Sequence, residues 1–413
     1  MNRTIVGIDV GTTKICTLVA EVHDTGKVNI LGVGLTPSKG LDKGVVVNID
    51  EAVSAIATSV EKAERLSGYR IGTAYVGIAG RHISSLNSRG VVAISRPDHE
   101  ISRNDVARAV EAAQAIAIPT QREVIHVIPR AYIVDGHEGI RDPVGMAGYR
   151  LEVETHIVTG EVMAIQNLIK SVERAGVGID DLVLQPLASG SAVLTEEDKN
   201  RGVVLVDIGG GTTDIAIFIG GGIWHTVVLP IGGTHFTNDL VYVLHTPHNT
   251  AEYLKLKYGS VLYEPKPDEQ DDIDTDTFSP GERQQVSRRL LNEILQSRAE
   301  QLIEMVGSEV RRSGYEGLLP AGIVLTGGSA QLPGLEELTR EILGMPVRIG
   351  VPTNLTGLSE AIDSPPYATC VGLVRWGLRH GMSAGTHGAQ QPESGNWKQT
   401  YGRFKMWLRE FLP

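Results

Sequence analysis

Apolar positions along the chain follow two rhythms. Around residues 4–9, 14–22, 28–35 and 71–79 they run nearly unbroken and predict paired strands, whereas residues 49–67 place Val53, Ile56, Ala57, Val60 and Ala63 at helical spacing, with Glu61, Lys62 and Glu64 turned outward. The first half-domain is thus expected over 1–80. Residues 81–162 carry strands near 90–95, 123–129 and 151–158 and a helix near 102–116 opened by Ser102, the composition of an inserted subdomain. The main body resumes over 163–201, with a helix at 163–175. A second half-domain occupies 202–231, opening on a strand at 202–207. Residues 232–312 read as a helix-rich subdomain, with a helix at 290–306, interrupted by an acidic, proline-containing stretch from Tyr263 to Asp276 that is expected as a solvated loop. Residues 313–379 close the body.

The last segments differ in kind. Residues 380–396, rich in Gly, Ser, Gln and His, lack apolar periodicity and predict a polar tether. Beyond it, over 397–413, helical spacing gathers Trp397, Tyr401, Phe404, Trp407, Leu408, Phe411 and Leu412 on one face, and only Met406 lies opposite. Four cations and one anion give this helix a charge of about +3. An aromatic, basic, tethered helix suits the headgroup region of an anionic membrane, the other reading being a helix that docks on its own core or in a partner groove.

Candidate chemistry lies in a repeat. Asp9-Val-Gly-Thr-Thr-Lys14 and Asp207-Ile-Gly-Gly-Gly-Thr-Thr-Asp214 are each framed by apolar runs, which suggests two similar half-domains facing across a cleft. Glycines let consecutive N–H groups converge on phosphate oxygens, threonine hydroxyls add donors, and an aspartate before the turn can hold hydrated magnesium. Alone, either loop could be an ordinary tight turn. A third segment, Ala321-Gly-Ile-Val-Leu-Thr326 followed by Gly327-Gly328-Ser329-Ala-Gln-Leu-Pro-Gly334, runs from strand through a glycine pair into a helix at 336–343, which brings backbone close to a flat ligand. Neither a Walker loop nor a dinucleotide fingerprint is present at these positions.

Composition narrows the partners. The 413 residues carry a formal charge of −11 and include 41% hydrophobic residues, so the body is large enough for a substantial core and repels nucleic acid and anionic lipid alike. Any membrane contact is therefore local, and no nucleic-acid partner is expected. Cys16 and Cys370, outside any CxxC pair, are expected as reduced core residues of a cytosolic protein, and neither a signal peptide nor a spanning helix is expected. His245 and His248 lie in Leu-His-Thr-Pro-His-Asn and read as a polar loop rather than a metal face.

The three glycine motifs together resemble the actin, DnaK-type chaperone and sugar kinase superfamily. Their order, the insert after Gly80 and the terminal amphipathic helix resemble the bacterial cell-division FtsA family over nearly the whole chain. That resemblance implies an α/β, actin-like ATPase fold of two ribonuclease-H-like half-domains with inserted subdomains. It also implies ATP with Mg2+ as ligand, self-association into filaments, and a role tethering FtsZ filaments, with other divisome proteins, to the cytoplasmic face of the membrane at the septum. Carried onto this sequence, Asp9 and Asp207 organise the magnesium. Gly11, Thr12, Thr13 and Lys14, with Gly209, Gly210, Gly211, Thr212 and Thr213, meet the phosphates. Gly327, Gly328 and Ser329 meet the adenosine, and Glu252 and Lys255 contact ribose or adenine. Gln185-Pro186 stands where chaperone relatives have a glutamate-proline step, so Gln185 can position water but cannot take its proton, and slow hydrolysis is expected. The carboxy-terminal peptide of FtsZ is expected on 232–312, where Arg283, Arg288 and Arg289 could pair with its carboxylates or merely balance the acidic stretch. A small-molecule kinase or a chaperone-like or pilus-assembly ATPase would share the nucleotide motifs; the terminal helix weighs against both.

Overall fold

The unbroken apolar runs build two sheets wired alike. In the computed structural model, which describes residues 3–22, 27–264, 272–279, 281–358 and 362–381, Arg3–Val10 pairs antiparallel with Lys14–Val22, and that strand antiparallel with Val28–Pro37. On its other side Arg3–Val10 runs parallel to Thr73–Ile78, which runs parallel to Gly178–Leu184. The second sheet repeats this order: Val203–Ile208 is antiparallel to Thr213–Ile219, and that strand to Gly222–Leu229. Ile323–Thr326 and Val347–Ile349 follow in parallel on the other side. Leu355–Gly357 adds an edge to the first sheet.

Both sheets are covered on both faces, which is why their sequences do not alternate. Val203 and Leu205 enter a central core with Phe218, Leu373 and Val374, while Val204, Val206 and Ile208 enter an outer one with Phe236, Leu240 and Leu295. Ile5 likewise faces the central core, and Val6, Ile8 and Val10 face the outer side of the first sheet. Two helices, Gln185–Val193 and Ala368–Gly381, contribute Ala188 and Leu373 to the central core. They cross so closely that a Cβ on Gly372 would collide with the carbonyl of Ala188.

Several expectations shift in detail. The helix Ile49–Ser67 has the expected extent, but Val53 and Ala57 are only half-buried, and Ala52, Ala55 and Ser59 join Ile56, Val60 and Ala63 against the sheet. Close backbone approach selects these small residues. A Cβ on Gly34 would strike the Ser59 carbonyl, and Ser59 Oγ donates to Gly34 O at 2.9 Å. The strand Gly178–Leu184 has no counterpart in the sequence reading, because Asp180 and Asp181 break its apolar run; the ladder absorbs them with a bulge between Ile179 and Asp181. The acidic stretch is not all loop. Asp272–Asp276 pairs with Arg283–Ser287, exposing its three aspartates and burying Ile273 and Thr275, an alternation that its charge obscured. The long helix runs Arg288–Ser313, capped by the Ser287 side chain and ended by a left-handed Gly314, rather than 290–306.

Between Thr73–Ile78 and the helix Val162–Arg174 stands a separate four-stranded sheet in the order Ser84–Ala93, Arg150–Glu161, Arg122–Val134, His137–Ile140. The helix Arg103–Gln114 covers it, its first turn closed by reciprocal bonds between Ser102 and Asp105. His245 is a left-handed cap between the helices Gly233–Leu244 and His248–Tyr258, and both cysteines are buried thiols. The closing helix continues to Gly381, past the expected start of the tether at 380. The remaining tether and Trp397, Tyr401, Phe404, Trp407, Leu408 and Phe411 lie outside the described residues. No helix among the described residues is long and apolar enough to cross a membrane.

Gly372→Ala is expected to lower unfolding stability by about 1–3 kcal/mol through overpacking of the helix crossing. The control is Gly72→Ala, where a Cβ meets nothing within 4 Å. Equal urea midpoints for the two variants would remove the close crossing as a constraint.

Candidate nucleotide-binding site

Strand register decides where the site's acids point. Asp9 shares the inward face of Arg3–Val10 with Ile5, and Asp207 shares that of Val203–Ile208 with Val203 and Leu205, so both carboxylates turn into the central layer. Each stands at its strand's last turn, before a hairpin. The two hairpins have equal loops: Val10 pairs with Ile15 and Ile208 with Thr213. Each is closed by the same bond, Gly11 N–H to Lys14 O at 3.0 Å and Gly209 N–H to Thr212 O at 2.9 Å. The threonine pairs that echo in sequence therefore do not superpose; Thr12 and Thr13 correspond in register to Gly210 and Gly211, and Cys16 to Asp214.

The loops face each other. A Cβ on Gly210 would collide with Thr13 Cγ2, and one on Gly211 would lie 2.8 Å from Thr12 Oγ1, while Gly44 N–H donates to that hydroxyl at 3.1 Å. Residues from farther along the chain converge on the second loop. Gly233 N–H and Thr234 N–H donate to Gly209 O and Gly210 O at 2.9 and 2.8 Å, and Ser329 Oγ donates to Gly209 O at 3.3 Å. Gly327, at φ 85°, lies where a Cβ would sit 2.5 Å from Asp207 Oδ1, and Gly328 opens the short turn Gly328–Gln331. Glu252 and Lys255 stand one layer out: Lys255 Nζ donates to Glu252 Oε2 at 2.8 Å, Thr237 Oγ1 at 2.9 Å and Gly233 O at 3.3 Å, and Thr237 also donates to Glu252.

Lys14 turns to the closing segment, donating to Pro366 O at 2.6 Å with its ammonium 3.9 Å from the centre of the Tyr367 ring. Gln185 Nε2 donates to Asp9 Oδ1 at 2.9 Å. The sequence reading assigned no role to Asp214, which the antiparallel ladder sets opposite Asp207. It also missed Thr369, whose hydroxyl donates to Asp207 Oδ2 at 3.2 Å, and Ser189, a second hydrogen-bond partner of Asp207. The Asp207–Asp214 register is recoverable from equal loop lengths, whereas nothing local marks Thr369 or Ser189.

Burial governs the electrostatics. It pushes Asp9 up to about 7 against the pull of Lys14, with Asp207 adding to the rise. Asp207 is raised by burial too, despite hydrogen bonds from Ser189 and Thr369. Asp214 is raised well above the ordinary range by burial and by the charge of Asp207, and its Oδ1 is buried without a hydrogen-bond partner. Such an oxygen-only, charge-hungry set suits a hard divalent cation. Among the described residues no group of three or more His, Cys, Asp or Glu could hold a metal by itself, so the fit is to an ion that keeps much of its water.

Away from this cleft, a cavity of about 510 Å³ is lined by Ser260, Leu262, Tyr263, Glu264, Arg288, Gln296 and Glu341. The Arg288 guanidinium lies 5.2 Å from the Tyr263 ring centre, while Arg289 Nε pairs with Glu293 at 2.9 Å.

The buried acid makes stability depend on pH. Asp9 ionises near 3.8 in the unfolded chain and near 7 when folded, so the folded state holds the extra proton. The resulting stabilisation is complete below 3.8 and is lost as pH rises through about 7, a cost of about 4 kcal/mol at pH 8 against an uncharged isostere. Asp9→Asn, which keeps the acceptor for Gln185, should raise the melting temperature of nucleotide- and metal-free protein at pH 8 and scarcely change it at pH 4. An equal shift at both pH values would exclude the buried charge as the cause.

Comparison with known proteins agrees with this architecture. Residues 204–372 match the family model of the cell division protein FtsA, and residues 80–159 that of the SHS2 domain inserted in FtsA. The chain is 45% identical over 411 residues to the cell division protein FtsA of Pseudomonas aeruginosa, covering 99% of this chain and 98% of that protein. It is 35% identical over 418 residues to that of Escherichia coli, covering 99% and 98%. Among solved structures it resembles a PilM–PilN type IV pilus biogenesis complex, with TM-score 0.67 and 16% identity over 91% of this chain and 98% of that one. It also resembles MreB5 of Spiroplasma citri bound to AMPPNP, with TM-score 0.55 and 13% identity over 90% and 94%. These likenesses show an actin-like ATPase fold. With two half-domains of one wiring, the SHS2 insert and identity along nearly its full length, the chain belongs to the FtsA family of cell division proteins.

Proposed function

We propose that the protein binds ATP with Mg2+ between its two facing hairpins and acts as a self-assembling adaptor that tethers FtsZ filaments to the cytoplasmic membrane at the division site. One observation carries the nucleotide reading: Asp9, Asp207, the two glycine–threonine loops and Gly327–Ser329 come from three distant stretches of chain and meet at one place. The MreB5 structures named as bound to ADP and AMPPNP support it. Backbone N–H groups of the loops and the Thr12 and Thr13 hydroxyls would hold the phosphates, and Gly327, Gly328 and Ser329 would lie along the adenosine, with Glu252 and Lys255 stiffening the Gly233 turn behind it. Asp9, Asp207 and Asp214 would hold the hydrated Mg2+, which when bound neutralises phosphate charge. Gln185 spends its amide N–H on Asp9 and offers no base, so hydrolysis is slow and ATP serves chiefly as a conformational and assembly ligand.

The adaptor role joins this cleft to the terminal helix and to the helical subdomain. The aromatic face and local positive charge of 397–413 suit an anionic bilayer surface. The cavity beside Arg288, with Tyr263 and Leu262 in its wall, offers apolar surface and a guanidinium to a short peptide carrying apolar and acidic residues, as expected of the FtsZ carboxy-terminal peptide.

Three measurements test the parts separately. Asp207→Ala should weaken Mg-ATP binding by calorimetry more than it weakens metal-free ADP binding; unchanged Mg-ATP affinity would contradict the metal assignment. Phe404→Glu, which charges the middle of the apolar face, should abolish flotation with anionic liposomes, and undiminished flotation would sink the membrane reading. Arg288→Glu and Arg289→Glu should each weaken binding of an FtsZ carboxy-terminal peptide, Arg288→Glu, in the cavity wall, by about tenfold or more. Equal affinities by fluorescence anisotropy for both variants and the parent would place the peptide elsewhere.

A further inference from the structure

The insert is covalently part of the first half-domain, yet one of its strands is seated on both halves. Along Arg122–Val134 the side chains divide between two cores. Val127, Tyr132 and Val134 fill the insert's own core, whereas Ile128 leaves it for the central core shared by the two sheets. His126, on the same side as Ile128, accepts the Leu184 N–H at 3.0 Å and meets the edge of Trp376 on the closing helix, with ring centres 5.6 Å apart. Arg130 has no partner on the neighbouring strand, because the ladder passes from Thr155↔Pro129 to Glu154↔Ala131; this bulge turns its guanidinium outward. There it lies 4.2 Å from the Trp224 ring centre and donates to the Tyr315 hydroxyl at 2.9 Å, both residues belonging to the second half of the chain. Nearby, His156 and Ser85 of the insert reach Thr226 at 2.8 and 2.9 Å.

The two ends of this strand differ in what they join. Arg122 makes three hydrogen bonds, to Thr159 Oγ1, Thr159 O and His82 O, all at 2.9 Å and all within the insert, where His82 Nδ1, His82 Nε2 and Glu123 Oε1 are also buried without a partner. Only the Arg130 end leaves the insert for the second half of the chain. At the Arg130 end, Arg130 Nε, Trp224 Nε1 and His225 Nε2 are buried without a partner. Unpaired polar atoms make that contact costly to keep and easy to exchange.

We propose that the strand Arg122–Val134 is a strap that carries relative movement of the two half-domains to the insert, with the Arg130–Trp224–Tyr315 contact as its releasable end. The trigger rests on the nucleotide reading above: a ligand gripped by both hairpins shifts one half against the other, and the strap, bound to both, must yield where it crosses to the second half, at Arg130. The orientation of the insert, and of any surface it offers to a partner, then depends on the cleft.

Hydrogen–deuterium exchange on the full chain, with calorimetry of Mg-ATP on the same preparation, tests this. Saturating Mg-ATP should change exchange across residues 222–229. Arg130→Ala should speed exchange there about tenfold without nucleotide, and should abolish the nucleotide response while the binding heat persists. Tyr315→Phe, which loses only the hydroxyl, should move exchange the same way by less. Binding heat without any response at 222–229 in the parent overturns the strap alone, as does an Arg130→Ala response equal to the parent's. Absence of binding heat overturns the nucleotide reading and removes the strap's trigger with it.

Discussion

The structure depends on negative charge held out of water. Asp9, Asp207 and Asp214 are buried together, and Lys14 is the cation whose field reaches Asp9 and Asp207. Such a cluster is costly when ionised, since desolvation and mutual repulsion act in the same direction. It becomes favourable once positive charge enters. A ligand that supplies that charge binds the folded protein and not the unfolded chain, so occupancy and stability are linked by mass action. The glycines around the acids follow from the same demand, because only backbone without Cβ lets the two hairpins close over so small a space.

Two helices complete the arrangement. Gln185–Val193 begins beside Asp9, and Ala368–Gly381 begins at the residue before Thr369, which holds Asp207. Each therefore directs an N-terminus, with its positive partial charge, toward a buried carboxylate. Since the same helices cross between the sheets at Gly372 and Ala188, the charge cluster and the contact between half-domains are one mechanical unit. Movement that changes the spacing of the carboxylates must also slide the helices, and interiors packed this tightly move between discrete arrangements rather than deforming smoothly.

Fastening the insert to both sides adds a second path between the half-domains. Its long strand is neutral in character at the middle, where burial holds His126 down near 3 so that its ring nitrogen accepts the Leu184 N–H. Family membership accounts for the presence of the insert; where it is seated follows from the bulge at Arg130, which changes which core the following residues enter.

The sequence by itself determined much of the local structure and the identity of the site's acids. The period of apolar residues gave the extent of Ile49–Ser67, Ser102 marked the helix it caps, and the repeated Asp-x-Gly marked the two hairpins, because each of these signals is written within a few residues. Other features needed the fold. Gly178–Leu184 is a strand because a parallel neighbour stabilises it in spite of two aspartates, and Asp272–Asp276 is one because Arg283–Ser287 pairs with it. Ser59 is buried and Val53 only half so because Gly34 admits the helix backbone at that point. Thr369 and the Lys14–Tyr367 contact join positions more than 150 residues from their partners, and Ser189 reaches Asp207 from another helix. Which carboxylate a hydroxyl reaches, and which strand seats an arginine, depend on how two sheets pack across a shared layer; residues so far apart carry no local pattern that could announce it.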